Sequence, residues 1–378
     1  MSKKTRARRG PAQSPNGAYT LVEILDQPVC WSESLKSLER TGALKTLAAR
    51  FAEGQEWIFV GCGSSFYVAQ AAAASMTALT GLRAQALPAS EWLLFPGPAR
   101  TAKNNFVPVL ISRSGRTSEV LKVAERLREQ KIRTLGVSCA PGQTLEKLVT
   151  SAIVLPKADE QSTVMTRSFT TMLMGLQGLA AQVGGKQDFS AAQLALKKST
   201  GELLRTLPQR ISQFVNLHDF EDYVCLGQGG LYGIACESAL KLTEMSLSYG
   251  QSFHTLEFRH GPKSIVSKKT LIVFLLSEAG YGAELEVLEE VKKLGGTTLV
   301  IANRAEARAQ AAADLLVELR ADDVGEIARL PLYVIAGQLM GLYTGIKKGH
   351  DPDKPRNLSR VVVLEEEGPR RTPQHAAI

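Results

Sequence analysis

Two stretches of the sequence decide the fold, WIFVGCGSS at 57–65 and DYVCLGQGG at 222–230. Each is a short apolar run that ends in a glycine-rich turn and leads into a helical pattern. Further apolar runs, separated by amphipathic stretches, follow each of them, at 106–112, 133–138 and 152–155 and at 271–276, 298–301 and 315–319. This alternation of strand and helix predicts parallel sheets covered by helices on both faces.

The two series of runs are separated by a nearly constant distance along the chain. Trp57 and Asp222 are 165 residues apart, and Val109 and Val273 are 164 residues apart. A constant offset predicts a duplicated α/β domain rather than a chance alternation. We therefore predict a first domain at 18–189 with an N-terminal helix, a helical connector at 190–213 and a second domain at 214–346. A basic tail at 1–17, expected to be disordered, and a C-terminal tail at 347–378 flank them.

The charge of the chain is concentrated at its N-terminus. The formal net charge is +8, and five of the positive charges lie within the first nine residues. The remainder is only mildly basic, which suits an anionic small molecule and gives no support for nucleic-acid binding. The composition, 44% hydrophobic and 22% charged, is that of an ordinary soluble protein. No apolar run is long enough for a membrane span or a secretory signal, so we expect a cytoplasmic protein.

The five cysteines show neither a disulfide framework nor a zinc site. Cys30, Cys62, Cys139, Cys225 and Cys236 are odd in number, and none are spaced as CxxC. We expect reduced, mostly buried thiols and no metal.

Hydroxyl groups follow two strands of the predicted first domain. The first strand is followed by a turn at 61–65, and the next apolar run by a turn at 112–118 (SRSGRTS). In an open parallel sheet, ligands bind beyond the carboxyl ends of the strands, at helix N-termini. Capping of the two helices would also explain a serine or threonine in each turn. The number of hydroxyls favours an anion site, formed by Ser64, Ser65, Ser112, Ser114 and Thr117.

The second domain carries acid–base residues in place of these hydroxyls. Its turns contain Gly227–Gly230 and the sequence SEAG at 277–280. Glu237, Lys241 and Glu244 recur at i, i+4 and i+7, on one face of a helix. A solvated face stabilised by a Glu–Lys pair has the same spacing. His260, before a Gly-Pro turn, is a side chain suited to proton transfer near neutral pH, although a surface histidine is the ordinary alternative.

These motifs together resemble a known family. The turns at 61–65 and 111–117 resemble the phosphosugar-binding loops of SIS (sugar isomerase) domains. The segments at 237–244, 259–262 and 351–358 resemble the isomerase half of glutamine–fructose-6-phosphate aminotransferase and its stand-alone relatives, the amino-sugar-phosphate deaminases and deglycases. The resemblance covers about residues 20 to 365.

The resemblance implies a fold, an activity and a set of site residues. It implies two SIS subdomains, each with a flavodoxin-like sheet, and a C-terminal tail that closes over the site. It implies a cofactor-independent isomerase or deaminase acting on a hexose or hexosamine 6-phosphate, in a homodimer. The implied roles are phosphate binding by the hydroxyl turns with Arg113, proton transfer between C1 and C2 by Glu244, support from Glu237 and Lys241, and ring opening by His260 of the neighbouring subunit.

Three departures from the family pattern change the expectations. Arg113 and Arg116 replace the usual Gln and Glu, and Arg113 could add a charge to the phosphate contact. Arg360 replaces a lysine that handles the sugar carbonyl in the family, and an arginine cannot form a Schiff base. No glutaminase domain precedes the SIS pair, so we expect no glutaminase activity. A non-catalytic sugar-phosphate sensor is the alternative to an enzyme.

Overall fold

The computed structural model describes residues 15–95 and 105–364. The predictions for residues 1–14 of the basic tail and 365–378 of the C-terminal tail lie outside this range.

The first half of the chain contains five strands and eight helices in the described residues. They are α1 (Ala18–Leu25), α2 (Gln27–Thr41), α3 (Ala43–Arg50), β1 (Glu56–Gly61), α4 (Ser64–Thr80), β2 (Arg83–Pro88), α5 (Ala89–Leu94), β3 (Phe106–Ile111), α6 (Ser118–Glu129), β4 (Leu135–Ser138), α7 (Thr144–Leu148), β5 (Ser151–Val154) and α8 (Arg167–Val183).

The connector and the second half continue the pattern within the described range. The connector consists of two helices, α9 (Phe189–Leu204) and α10 (Leu207–Leu217). The second half contains β6 (Asp222–Gly227), α11 (Leu231–Ser246), β7 (Gly250–Phe253), β8 (Thr270–Leu275), α12 (Tyr281–Lys293), β9 (Thr297–Ala302), α13 (Ala307–Ala312), β10 (Leu315–Glu318) and α14 (Glu326–Lys347).

The two halves form two five-stranded parallel sheets with the same topology. Their strand orders are β2-β1-β3-β4-β5 and β7-β6-β8-β9-β10. This is the flavodoxin-like order, so the predicted fold class is confirmed. The sequence patterns indicated four strands in each half. The fifth strands, β2 (RAQALP) and β7 (GQSF), lie at sheet edges, are only partly buried and contain few large apolar side chains, so their hydrophobic signal is weak.

Side chains alternate between two faces along each strand, as the pleat requires. Phe59 of β1 and Cys225 of β6 belong to one central core shared by the two halves. Ile58 and Val224, each one residue earlier in its strand, belong to outer cores. Helices α5 and α6 cover the outer face of the first sheet, and α12 and α13 cover that of the second. Both sheets therefore have helices on both faces.

The halves meet where α4 crosses α11. Gly233 of α11 makes this close approach possible, because a Cβ there would lie 2.9 Å from Ala71 N and 3.0 Å from Tyr67 O of α4. The C-terminal tail adds a second connection. The carboxylate of Asp353 accepts hydrogen bonds from the backbone N–H groups of Tyr19 and Thr20 at the start of α1, at 3.1 and 2.7 Å.

The cysteines are all unpaired, and Cys62 alone of the five is not fully buried. In residues 15–95 and 105–364, no helix combines the length and the apolar character needed to cross a bilayer.

Gly233→Ala should destabilise the protein, because the new methyl group would press against backbone atoms that cannot move aside. Overpacking of this kind costs about 1–3 kcal/mol. Gly201→Ala is the matched control. Gly201 lies within α9, where a Cβ would contact nothing within 4 Å, and the change should stabilise the protein by about 0.5–1 kcal/mol. Denaturant unfolding measures both variants. Equal effects would contradict the close packing at the α4–α11 crossing.

Candidate functional site

The hydroxyl turns lie side by side at the centre of the first sheet. β1 and β3 are neighbours, and the chain continues to β2 on one side and to β4 on the other. Such a reversal opens a crevice at the carboxyl ends of the two strands. The tight turns require glycine at two positions. A Cβ on Gly61 would lie 2.4 Å from Ser65 O, and Gly115 has a positive φ of 64°.

The hydroxyl groups of these turns are held close to the N-termini of α4 and α6. Ser64 and Ser65 are the first two residues of α4 and are almost fully buried. Ser112 Oγ and Thr117 Oγ1 lie 2.9 Å apart, and Ser114 Oγ accepts a hydrogen bond from Arg116 N at 3.2 Å. Helix N-termini present unpaired N–H groups and a favourable dipole to an anion. The turns therefore offer donors and a dipole that suit a phosphate.

Arg113 is placed differently from what the sequence suggested. Its guanidinium is buried and forms an ion pair with Glu160 at 3.2 Å. It also donates to the backbone oxygens of Thr163 at 2.8 Å, Val164 at 3.1 Å and Arg360 at 3.2 Å. In this arrangement these acceptors occupy both terminal nitrogens of the guanidinium, and a direct phosphate contact by Arg113 stays a prediction.

The charged residues of α11 form a buried cluster and not a solvated helix face. The side chains of Glu237 and Lys241 are fully buried, and that of Glu244 is 15% exposed. Lys241 Nζ lies 3.2 Å from Glu237 Oε1 and pairs with Glu244 Oε2 in a short contact. It also donates to Ser64 Oγ at 3.2 Å. Lys241 thereby joins the partly exposed carboxylate of the second half to a hydroxyl turn of the first half.

Burial and the neighbouring charges shift the pKa values of Glu237 and Lys241. Burial raises the pKa of Glu237 to about 8; Lys241 opposes the shift, and Glu244 adds to it. Burial lowers the pKa of Lys241, but the two carboxylates outweigh that effect and raise it above its ordinary value. At neutral pH the preferred state is a protonated Glu237 and a charged Lys241 that faces the carboxylate of Glu244.

The corresponding turn of the second half is filled by the protein itself. The carboxylate of Glu284 in α12 accepts hydrogen bonds from Ser277 N at 2.7 Å and from Ser277 Oγ at 2.9 Å. Burial raises the pKa of Glu284 to about 7, and the two bonds from Ser277 oppose that shift. An internal carboxyl group thus takes the donors that a bound anion would use, and the second turn offers no comparable site.

His260 ends a short 3-10 turn at Glu257–Arg259, and its side chain is exposed. Among the described residues of one chain, no hydrogen bond joins it to Glu237, Lys241 or Glu244. The single chain therefore does not link His260 to the acid–base cluster. Its contribution from a neighbouring subunit stays a prediction.

A cavity of about 230 Å³ opens beside Glu244, between the end of α11 and the C-terminal tail. His350, Lys354 and Arg356 contribute to its lining. Arg360 lies further along the tail, where its side chain pairs with Asp159. A larger cavity of about 440 Å³, between α9 and β10, contains none of the predicted site residues.

Sequence reasoning missed Tyr67, which belongs to the same region as the cluster. Burial raises its pKa, and the nearby Cys236, Glu237 and Glu244 raise it further. A tyrosine on an apolar helix carries no sequence signal of such a position. Within the described residues, no three His, Cys, Asp or Glu side chains are grouped as a metal site requires.

Comparison with known proteins shows the family to which this chain belongs. Residues 51–181 and 217–340 each match the SIS domain family model. The solved glucosamine-6-phosphate deaminase of Thermotoga maritima is 30% identical; the match covers 92% of this chain and all of that one, with a TM-score of 0.76. The tagatose-6-phosphate ketose/aldose isomerase of Escherichia coli is 22% identical with a TM-score of 0.81, over 93% and 97% of the two chains, and shows the likeness of fold.

A longer relative matches over part of its length. The isomerizing glutamine–fructose-6-phosphate aminotransferase of Pyrobaculum aerophilum is 26% identical over 366 residues, which cover 92% of this chain and 58% of that protein. The chain thus spans less than two thirds of the length of this relative.

Glu237→Gln should change how stability depends on pH. Glu237 loses its proton near pH 4.5 in the unfolded chain and near pH 8 in the folded protein, so the folded state binds the extra proton between these values. Its contribution to stability therefore falls as the pH rises from about 4.5 to about 8, by at most about 1.4 kcal/mol per pH unit. Urea unfolding at several pH values should show this slope in the wild type and not in the variant. The exposed Glu125→Gln is the control, and a Glu237→Gln profile parallel to the wild type would contradict the assignment.

Proposed function

Because the chain belongs to the SIS domain family, we propose that it isomerises or deaminates a hexose or hexosamine 6-phosphate by proton transfer between C1 and C2. The observation that carries the proposal is the contact of Lys241 with both Ser64 and Glu244. This contact connects a turn that can bind a phosphate with a partly exposed carboxylate that can accept a proton. A substrate that is anionic at one end and acidic at a carbon near the other end fits this arrangement.

The proposed reaction begins with binding of the phosphate by Ser65, Ser112, Ser114 and Thr117. Phosphate held far from the reacting carbons supplies binding energy and orientation. His260 of a neighbouring subunit opens the sugar ring by moving a proton between the ring oxygen and the C1 hydroxyl. The carboxylate of Glu244 then removes a proton from one of the two carbons and returns it to the other, through an enediol or an enolamine.

Lys241 and Glu237 support this step without touching the substrate. The ammonium of Lys241 pairs with the carboxylate of Glu244, the group that accepts the proton. While Glu244 carries the proton, Lys241 keeps its contacts with Ser64 Oγ and with the carboxyl group of Glu237. The proton therefore moves between the substrate and Glu244 beside a buried ammonium group.

The substituent at C2 decides the product. A hydroxyl group gives a plain aldose–ketose isomerisation. A 2-amino group gives an imine at C2, which water hydrolyses to a ketose with release of ammonia. Arg360 cannot form an imine with the sugar and its side chain pairs with Asp159, so no step is assigned to it. Incubation with glucosamine 6-phosphate and an ammonia assay tests the deaminase directly. Binding without turnover of amino and hydroxy sugar phosphates alike would favour the non-catalytic sensor.

Glu244→Gln should abolish proton transfer and leave phosphate binding intact, because the phosphate turns lie in the other half. General acid–base groups contribute about 10²–10⁴ in rate, so kcat should fall at least a hundredfold. In D₂O the wild type should exchange the hydrogen on C1 or C2 of the substrate, and the variant should not. The exposed Glu125→Gln controls for loss of a carboxylate elsewhere. Exchange by Glu244→Gln at the wild-type rate would assign the proton to another residue.

Mixing two inactive variants should restore activity if His260 crosses between subunits. In a dimer of one Glu244→Gln chain and one His260→Ala chain, one site then receives both intact residues. Random exchange in equal amounts should give about a quarter of the wild-type rate, because half of the dimers are hybrids with one intact site of two. Subunit exchange is verified by mass spectrometry of differently tagged chains. No recovery after verified exchange would place both residues in the site of a single chain.

A further inference from the structure

Arg113 belongs to the second hydroxyl turn, and its side chain contacts two segments that are distant in sequence. Its guanidinium is buried and spans them as a fork. Nη1 reaches Glu160 and the backbone oxygen of Val164, and Nη2 reaches the backbone oxygens of Thr163 and Arg360. Arg360 is 247 residues further along the chain and belongs to the C-terminal tail. One side chain of the turn therefore holds the tail.

Glu160 fixes the orientation of this fork. Its buried carboxylate accepts hydrogen bonds from Thr166 N at 2.6 Å, Thr166 Oγ1 at 2.8 Å and Ser168 N at 3.2 Å, at the start of α8. The carboxylate is thus immobilised by a helix N-terminus, and it faces Arg113 from the opposite side. A guanidinium held by so rigid a partner can turn neither toward the crevice nor toward solvent.

The tail contacts the same turn at further points. Val362 O accepts a hydrogen bond from Ser118 N at 3.3 Å, and Leu364 N donates to Ser118 Oγ at 2.9 Å. Ser118 directly follows Thr117. On its outer side the tail is tied down by the ion pair between the side chain of Arg360 and Asp159. The described part of the tail therefore ends on the helix that begins at the phosphate turn.

We propose that Arg113 is a positioning residue that couples the phosphate turn to closure of the tail. When an anion fixes the turn at 112–117, Arg113 is held in place and so is the backbone of the tail at Arg360. When the turn is empty, the tail is released more easily. The anion and the tail thus stabilise each other through one buried guanidinium, with no contact between Arg113 and the anion. The proposal rests on the proposed function only for the identity of the anion.

Lysine cannot replace this fork. An ammonium on a flexible stem could pair with Glu160, but it cannot reach acceptors on both sides as a planar guanidinium does. Arg113→Lys therefore keeps the buried charge balanced while it removes the connection to the tail. The variant therefore separates the positioning role of Arg113 from its effect on the stability of the fold, because the ion pair with Glu160 is kept.

Cleavage by trypsin after Arg360, followed by mass spectrometry, measures release of the tail. Inorganic phosphate is the probe, and its affinity is measured by calorimetry. In the wild type, phosphate should slow this cleavage. In Arg113→Lys, cleavage should be about tenfold faster, phosphate should no longer protect, and phosphate should bind about tenfold more weakly, as expected for loss of one hydrogen bond to a charged group. Arg133→Lys, an exposed change just before β4 at the amino ends of the strands of the same sheet, should match the wild type.

Two outcomes overturn the proposal. Weaker phosphate binding with unchanged cleavage would mean that Arg113 contacts the anion itself. Unchanged binding and cleavage would mean that Arg113 is a purely structural residue. If Arg113→Lys fails to fold, Asp159→Asn tests the coupling from the tail, because it removes the ion pair with Arg360. This variant should be cleaved faster and should bind phosphate more weakly than the wild type. No change in either measurement would overturn the coupling. Neither readout requires turnover, so a failure of the proposed function would leave both measurements valid.

Discussion

The candidate site depends on the contacts of one buried charge, the ammonium group of Lys241. A charge in a protein interior is costly unless it is paired and hydrogen-bonded. Here Glu237, Glu244 and Ser64 surround it, and the close crossing of α4 and α11 brings them together. Glu237 and Lys241 are fully buried, and Glu244 is the member of the cluster whose side chain is partly exposed.

The duplication explains why the two halves carry different groups of the candidate site. Both sheets have the same strand order, and both place a turn after each central strand. In the first half the turns present hydroxyls to the crevice. In the second half Glu284 fills the equivalent turn, and the helix α11 carries the acid–base residues. Under the proposed function, the duplicated fold provides one anion site and one proton site, which suits a substrate with two different ends.

The sequence predicted the doubled α/β fold and the residues of the cluster, but not their surroundings. Periodicity identifies strands that are buried on both faces. It misses β2 and β7, which lie at sheet edges, are only partly buried and contain few large apolar side chains. The spacing of Glu237, Lys241 and Glu244 is the same in a solvated helix, so burial alone distinguishes the two cases. The direction in which the Arg113 side chain points depends on Glu160, 47 residues away, and on the C-terminal tail. Contacts of that range leave no local pattern in a single sequence.

The position of a bound, unreactive sugar phosphate tests the central claim most directly. A crystal structure with an open-chain alditol 6-phosphate, which lacks the carbonyl group and cannot react, shows both ends of the ligand at once. We predict that the phosphate lies within hydrogen-bond distance of Ser112 and Thr117, and that C1 and C2 face the carboxylate of Glu244. A phosphate bound at the turn of Ser277, or a ligand whose C1 and C2 lie away from Glu244, would contradict it.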